Sequence, residues 1–363
     1  MNKALCSSND RMSLLSCLLL SSAESETAAQ AAEALRGLTR EDFEALLALA
    51  GSNHVLIRGM EVIQRLYEGA NDERAAWASA ALDEEHARIA TAIGYLHQIC
   101  DAFVERNLDV TVMKSLDHWP DLGSDLDLYS NASPQAVCSL MTERFGAQIA
   151  PRSWGDRLAC KWNFEIPGLP ESVEVHVGRL GQTGEQLVLA SRLPSRARTV
   201  EMGGYTFRVP SASDRLMIST LQRMYRHFYF RLCDIVDSAW LVGSGLLDFS
   251  DLRASAQAAG IWEGVATYLV IVSDYVRQYR GTDLGLPQLV KDAARFGGNL
   301  VYFSRDFLRV PIMPQSASLY GTQLSGLLRK GELYSSARLG LLPWLATAAA
   351  VGQKLTGSDK GIW

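Results

Sequence analysis

The residues best suited to chemistry lie in one short stretch, Val112-Met-Lys-Ser-Leu-Asp-His-Trp-Pro-Asp-Leu-Gly-Ser-Asp-Leu-Asp-Leu128. Asp125 and Asp127 are two positions apart, the spacing that sets both side chains on one face of a strand while Leu126 and Leu128 turn into the core. Two carboxylates held side by side repel strongly unless a cation sits between them. A hard divalent ion such as Mg²⁺, which takes one or two carboxylates plus substrate phosphates, suits that geometry. Gly123 and Ser124 precede the pair and let backbone approach a phosphate closely. Lys114 is a point charge suited to a phosphate oxygen. Taken alone, the motif would equally mark solvent-facing aspartates on an edge strand. A third acid adds weight: Glu174 alternates with Val173, Val175 and Val177 and shares a face with His176. An acid there completes a two-metal site or activates an attacking hydroxyl.

Other candidates carry two readings each. His176 orients a metal ligand, contacts a phosphate, or is a hydrogen-bonded strand histidine, since one histidine is not a metal site. Arg223, Arg226 and His227 fall at i, i+3, i+4 on a helix, placed to grip a triphosphate or an acidic co-substrate. The competing reading pairs Arg226 or Arg231 with Asp234 or Asp237 to tie helices together. Arg192, Arg196 and Arg198 read as a solvated charge run in a loop. Asp83-Glu-Glu-His86 lacks the H-E-x-x-H spacing and reads as an exposed helix face.

The elements that must position these groups change in character along the chain. Residues 28–100 are helical in period. Thr39 is a candidate cap, with Phe43, Leu46, Leu47 and Ala50 lining one face of the helix that follows. Further helices are expected at Val55–Glu68 and from about Asn71 to Arg106. Short strands then follow at Asp109–Met113, Leu126–Tyr129, Lys161–Ile166 and around Val173–Val177, with a helix from Ser133-Pro134 to about Phe145. Thr199–Val209 reads as a hairpin around Gly203-Gly204. After Pro210, with Ser211 or Ser213 as cap, the remainder is expected to be largely helical. This divides the chain into a helical region 1–100, an α/β core 101–210 and a helical region 211–363.

A chain of 363 residues buries enough surface to fold without disulfides or metal staples, and 48% hydrophobic content excludes disorder. A net charge of -5 argues against a dedicated binder of bulk nucleic acid, though not against a nucleotide substrate held in a local basic pocket. The six cysteines have no C-x-x-C pair and no metal-like spacing, and read as reduced thiols of a cytoplasmic protein. Met12–Ala23 resembles the apolar part of a signal peptide, but Glu24 and Glu26 follow at once, so a first core helix is expected instead. Leu339–Gly352, interrupted by Pro343, is too short to span a bilayer and reads as a packed C-terminal helix. The absence of G-x-x-x-x-G-K-[ST], G-x-S-x-G and G-x-G-x-x-G argues against a P-loop NTPase, an α/β-hydrolase and a Rossmann dehydrogenase.

Lys114-Ser115, Gly123-Ser124-Asp125-Leu-Asp127 and Glu174-Val-His176 together resemble the nucleotidyltransferase superfamily that includes DNA polymerase beta. The likeness is to a bacterial group of uncharacterised nucleotidyltransferases often found beside polysaccharide or peptide natural-product genes. That group's final element, a helix rich in histidine and arginine ending in an aspartate, has its counterpart here in Leu221-Gln-Arg-Met-Tyr-Arg-His227 and Phe230-Arg-Leu-Cys-Asp-Ile-Val-Asp237. The resemblance covers roughly residues 40–245. It implies an α+β fold, a small mixed-sheet nucleotidyltransferase core between N- and C-terminal helical regions. It also implies Mg²⁺-dependent transfer of a nucleoside monophosphate from an NTP to an unidentified small-molecule acceptor. Asp125, Asp127 and Glu174 would hold metal and carry catalysis, while Lys114, Ser115, Gly123, Ser124, His176, Arg226 and His227 would contact the nucleotide. Three departures stand out: Ser115 replaces a usual glycine, an arginine common shortly before the two aspartates is missing, and Glu174 replaces a more usual aspartate. They keep two alternatives open, a catalytically degenerate nucleotide-binding or scaffold protein with a protein partner, and an enzyme that modifies tRNA or protein.

Overall fold

The structure is a computed structural model that describes residues 7–22, 25–67, 72–345 and 347–348. Helices α1 (Ser8–Leu20), α2 (Glu26–Arg36), α3 (Arg40–Ser52), α4 (Leu56–Leu66) and α5 (Glu73–Glu105) come first. Thr39 caps α3 as expected, its hydroxyl accepting the Asp42 N–H, with Glu41 and Asp42 in the first turn. The apolar stretch near the start becomes α1, which buries Met12, Leu14, Leu15 and Leu20 and packs against α12 of the C-terminal region (Trp262–Arg280). Ala23, Glu24, Cys6 and the expected helix start at Asn71 lie outside the described residues. So does most of Leu339–Gly352. Among the described residues, no helix is long and apolar enough to cross a membrane.

The central elements are β1 (Thr111–Met113), β2 (Asp125–Ser130), α6 (Pro134–Phe145), β3 (Gln148–Ile149), α7 (Trp154–Leu158), β4 (Lys161–Glu165) and β5 (Ser172–Val177). Helix α8 (Leu187–Arg196) and the hairpin β6 (Arg198–Met202) to β7 (Tyr205–Val209) follow. The five-stranded sheet runs β1-β2-β5-β4-β3, and β2 and β5 are its one parallel pair. Parallel neighbours need a long crossover, which α6, β3, α7 and β4 supply. At the hairpin tip Gly203 and Gly204 both take positive φ, the backbone a two-residue turn between twisted strands requires.

The C-terminal region contains α9 (Ala212–Gln222), β8 (Tyr229–Phe230), α10 (Leu232–Gly243), α11 (Phe249–Ala259), α12, α13 (Gln288–Ala293), β9 (Tyr302–Ser304), β10 (Phe307–Arg309), α14 (Ala317–Arg329) and α15 (Leu333–Gly340). The fold is α+β with a small mixed sheet, and one apolar core runs through all three stretches of the chain. Two expectations are corrected. The C-terminal region also carries a three-stranded sheet, β8-β10-β9, whose strands are too short to announce themselves by alternation. Arg192 and Arg196 sit on α8 rather than in a solvated loop, both against the fully buried Asp214, at 3.3 and 3.1 Å. Arg196 also reaches Asp251 at 2.5 Å. Burial of Asp214 is what demands these partners.

Helix α4 has no side-chain cap of its own. Asp121, from the loop before β2, supplies one across the fold by accepting the Ile57 N–H at 2.6 Å. Arg58 then joins Asp121 (2.7 Å) to Asp237 of α10 (2.5 Å). The N-terminal helices, the β1–β2 loop and α10 are thereby tied by one guanidinium. Removing one partner from a buried pair costs about 3–5 kcal/mol, because the other charge stays buried. Arg58→Met is therefore expected to destabilise the protein by about 3–5 kcal/mol in chemical denaturation. An unchanged midpoint would mean that other groups satisfy both aspartates.

Candidate functional site

Pairing of β2 with β5 aligns Asp127 with Glu174, and Asp125 with Ser172. Asp127 is buried, whereas Asp125, at the strand's start, is exposed. Lys114 ends β1 in a positive-φ conformation (φ 53°), strained for a lysine. That twist turns its ammonium onto Asp127 and to 3.5 Å from Glu174. Lys161, opposite His176 in the β4–β5 register, contacts Glu174 at 2.8 Å and Asp156 of α7 at 2.9 Å. His176 Nε2 lies 2.7 Å from the other Glu174 oxygen.

The charges set one another. Burial raises Glu174, but Lys114, His176 and Lys161 outweigh it and hold the carboxyl well below its usual range. Asp127 goes the other way, pushed up to about 7 by burial and by Glu174 despite Lys114. Burial takes His176 down to about 4, so the ring is neutral near pH 7 and donates from Nε2 to Glu174. Its role is to hold Glu174, and its Nδ1 is buried without a partner.

Ser115 is almost fully buried, and its hydroxyl is engaged by the strand. Its hydroxyl donates to the Asp125 carbonyl (3.2 Å) and accepts the Asp127 N–H (2.7 Å), which fixes the start of β2. Gly123 cannot carry a side chain cheaply, because an added Cβ would stand 2.9 Å from the His54 ring. An arginine does reach this loop, from α5: Arg88 donates to the carbonyls of Leu122 (2.9 Å) and Gly123 (3.4 Å).

Facing the acids is a basic wall. Helix α9 stops at Gln222, and Arg223–His227 forms a wide π-type turn rather than a continuation of the α-helix, a distortion frequent at functional sites. Arg223 is buried against Asp234 at 2.7 Å, and Asp237 belongs to Arg58, so the pairings expected of Arg226 and Arg231 are made by other residues. Arg226, His227 and Arg231 face a cavity of about 280 Å³, with Lys114, Ser115, Gly123, Ser124, Asp125, Asp127 and Glu174 also on its lining. His176 is not on that lining and opens instead onto a neighbouring small cavity beside Lys114 and Arg226. Burial, reinforced by Arg226 and Arg223, keeps His227 neutral.

Nearly all the residues singled out in the sequence therefore converge. Lys161, His54, His118 and Arg231 also line the cavity. Lys161 had a signal, since it alternates with Trp162 and Phe164 and must share a sheet face with Glu174. His54 and His118 had none. Ligand atoms of Asp127, Glu174 and His176 lie within 4.8 Å of one another, a group that could hold a metal ion; Asp125 is not part of that group but lines the same cavity. Comparisons with protein-family models, curated proteins and solved structures found no match.

A carboxyl raised from 3.8 to about 7 keeps a proton in the folded state that the unfolded chain has released, so its contribution to stability is lost as pH rises across that interval. In metal-free protein, Asp127→Asn is expected to gain stability relative to the wild type as pH rises from about 4 to about 7. Denaturation midpoints of both proteins across that range measure it. A constant difference would mean that Lys114 neutralises Asp127 in full.

Proposed function

We propose that this protein is a Mg²⁺-dependent nucleotidyltransferase that moves a nucleoside monophosphate from an NTP to a small-molecule acceptor, as in natural-product or polysaccharide biosynthesis. The observation that carries this reading is the β2–β5 register. It sets Asp127 against Glu174 and Asp125 one strand step away, on the floor of a cavity whose opposite wall is basic. The motif resemblance supports the same reading.

Mg²⁺ suits this floor because its donors are hard carboxylate oxygens, and because a divalent charge would offset the burial and the Glu174 repulsion that push Asp127 upward. Asp125, Asp127 and Glu174 would hold the ion, which supplies neutralisation of phosphate charge when bound. Arg226 and Arg231 face the space a triphosphate would take, and Ser124 presents backbone and hydroxyl beside it. Lys114, released from Asp127, would meet a phosphate oxygen. An acceptor oxygen attacks the α-phosphorus, the bond to the bridging oxygen breaks, and pyrophosphate leaves with that electron pair. The acceptor's proton passes to solvent, since Glu174 is too firmly held as a carboxylate to accept it. Rate enhancement then comes from positioning and charge.

One observation favours a second reading, a nucleotide-binding protein without turnover: Lys114 and Lys161 already contact Asp127 and Glu174 without any metal. Pyrophosphate release with each NTP and candidate acceptors, beside calorimetry with and without Mg²⁺, separates the two. The enzyme reading expects Mg²⁺-dependent release that falls at least about 100-fold in Asp125→Asn and Asp127→Asn, with circular dichroism unchanged. Binding that ignores Mg²⁺ and gives no pyrophosphate would establish the second reading instead.

A further inference from the structure

Beside the basic wall, three residues that the reaction does not use meet from distant parts of the chain. His54 comes from the turn between α3 and α4, His118 from the short turn after β1, and Cys233 from the first turn of α10. One nitrogen of each imidazole and Cys233 Sγ all lie within 4.8 Å of one another. His118 Nε2 is 3.7 Å from the sulfur, while its Nδ1 is held by Asp237 at 2.5 Å. His54 Nδ1 is buried without a partner. Groups of this kind are rarely left so poorly satisfied.

We propose that His54, His118 and Cys233 bind one Zn²⁺, with a fourth coordination position open to the polar cavity. One thiolate and two imidazoles are a donor set that favours zinc over the hard ions suited to Asp125 and Asp127. Tetrahedral zinc with its usual bond lengths sets a sulfur and a nitrogen about 3.6 Å apart, close to the separation found here. The carboxylate on the far nitrogen of His118 is the outer partner that orients zinc-bound histidines. Asp237 is itself held by Arg58, so the ring is fixed before metal arrives. On binding, two protons leave to solvent, one from the Cys233 thiol as the S–Zn bond forms and one from His118 Nε2, whose imidazole, despite its burial, Cys233 and Asp237 otherwise keep protonated.

The surroundings are compatible with a cation. Arg223 is matched by Asp234, Arg58 by two aspartates, and Arg88 by Glu85 and Glu171, whereas Arg231, the strongest positive charge acting on His54, works against the ion. His54 and His118 line the cavity whereas Cys233 is fully buried, so the open side of the cluster is the cavity side. Cys233, His118 and Asp237 also have the order of a nucleophilic triad. A sulfur with no exposed surface has nowhere to receive an electrophile, and this burial favours the metal.

The test uses the full chain and needs no nucleotide, so its failure is separate from failure of the pyrophosphate assay. Elemental analysis of protein purified with zinc present is expected to give about one zinc per chain. After chelation, Co²⁺ is expected to restore a thiolate-to-cobalt charge-transfer absorption. That band should vanish in Cys233→Ser and persist in Asp127→Asn. Asp237→Asn, which leaves every ligand in place, should weaken zinc binding about 10- to 100-fold. If Cys233→Ser does not fold, the wild-type cobalt spectrum and the Asp237→Asn affinity decide. Folded wild-type protein that takes up no zinc, or shows no charge-transfer band with cobalt, would overturn the proposal.

Discussion

Two carboxylates buried against one another are the constraint around which the rest of the molecule is arranged. The parallel β2–β5 pairing leaves Asp127 and Glu174 no choice but to face each other where water cannot screen them. Something has to offset that repulsion: two lysines supply positive charge, and a neutral histidine supplies a hydrogen bond. Lys114 takes a strained backbone conformation to deliver its ammonium. Lys161 requires β4 beside β5, and its own second contact, Asp156, requires α7. That short helix is held in place by a reciprocal cap between Ser153 and Asp156. His176 closes the set from the same strand as Glu174. The edge of the sheet away from β1 is thus arranged to keep one glutamate ionised.

A second constraint fastens the cavity from the side. Its far wall is built from residues between Gln222 and Arg231, the stretch that joins α9 to α10 and has no covalent reason to lie against the sheet. Arg58 provides one, bridging the β1–β2 loop to α10. Asn53 provides another, donating to the Asp306 carbonyl at 3.0 Å and accepting the Leu232 N–H at 2.9 Å. The N-terminal helices therefore act as the clamp that sets the distance between the acidic floor and the basic wall. A sheet cut out without them would lose His54, Asn53 and Arg58 together.

How much of this was legible depends on the range of the interaction. A spacing of two placed Asp125 with Asp127 and Glu174 with His176, because the pleat of a strand dictates which side chains share a face. The pairing of β2 with β5 was not legible, since register depends on a partner strand about 50 positions later and on the crossover between them. Arg223, Arg226 and His227 were found at helical spacing, yet the turn that carries them is wider than an α-helix, and no periodicity rule reports that. Arg192 and Arg196 were read as solvent-facing because the acids that hold them, Asp214 and Asp251, lie on helices further along. His54, His118 and Cys233 are separated by 64 and 115 positions, a span that leaves no pattern in sequence.

The net charge acquires a different meaning once it is mapped. The chain carries -5 overall, yet the cavity is lined by five lysines and arginines against three acids. A concave, poorly screened site of one sign focuses field lines and draws in ligands of the other. Acidic residues elsewhere on the surface discourage extended polyanions, which must lie along a broad face, but they do little to a compact anion entering a pocket. On the proposed reading, the overall charge would disfavour nucleic acid in bulk while the cavity would favour a triphosphate. Because the basic groups stand on the wall opposite the acids, an anion entering the cavity would meet Arg226 and Arg231 on one side. Its other side would face the carboxylates, where repulsion forbids contact unless a cation comes with it. If the cavity takes a nucleotide as proposed, a lining polarised in this way would favour metal-bound phosphate over free phosphate, and the preference would follow from the placement of eight charges rather than from any single residue.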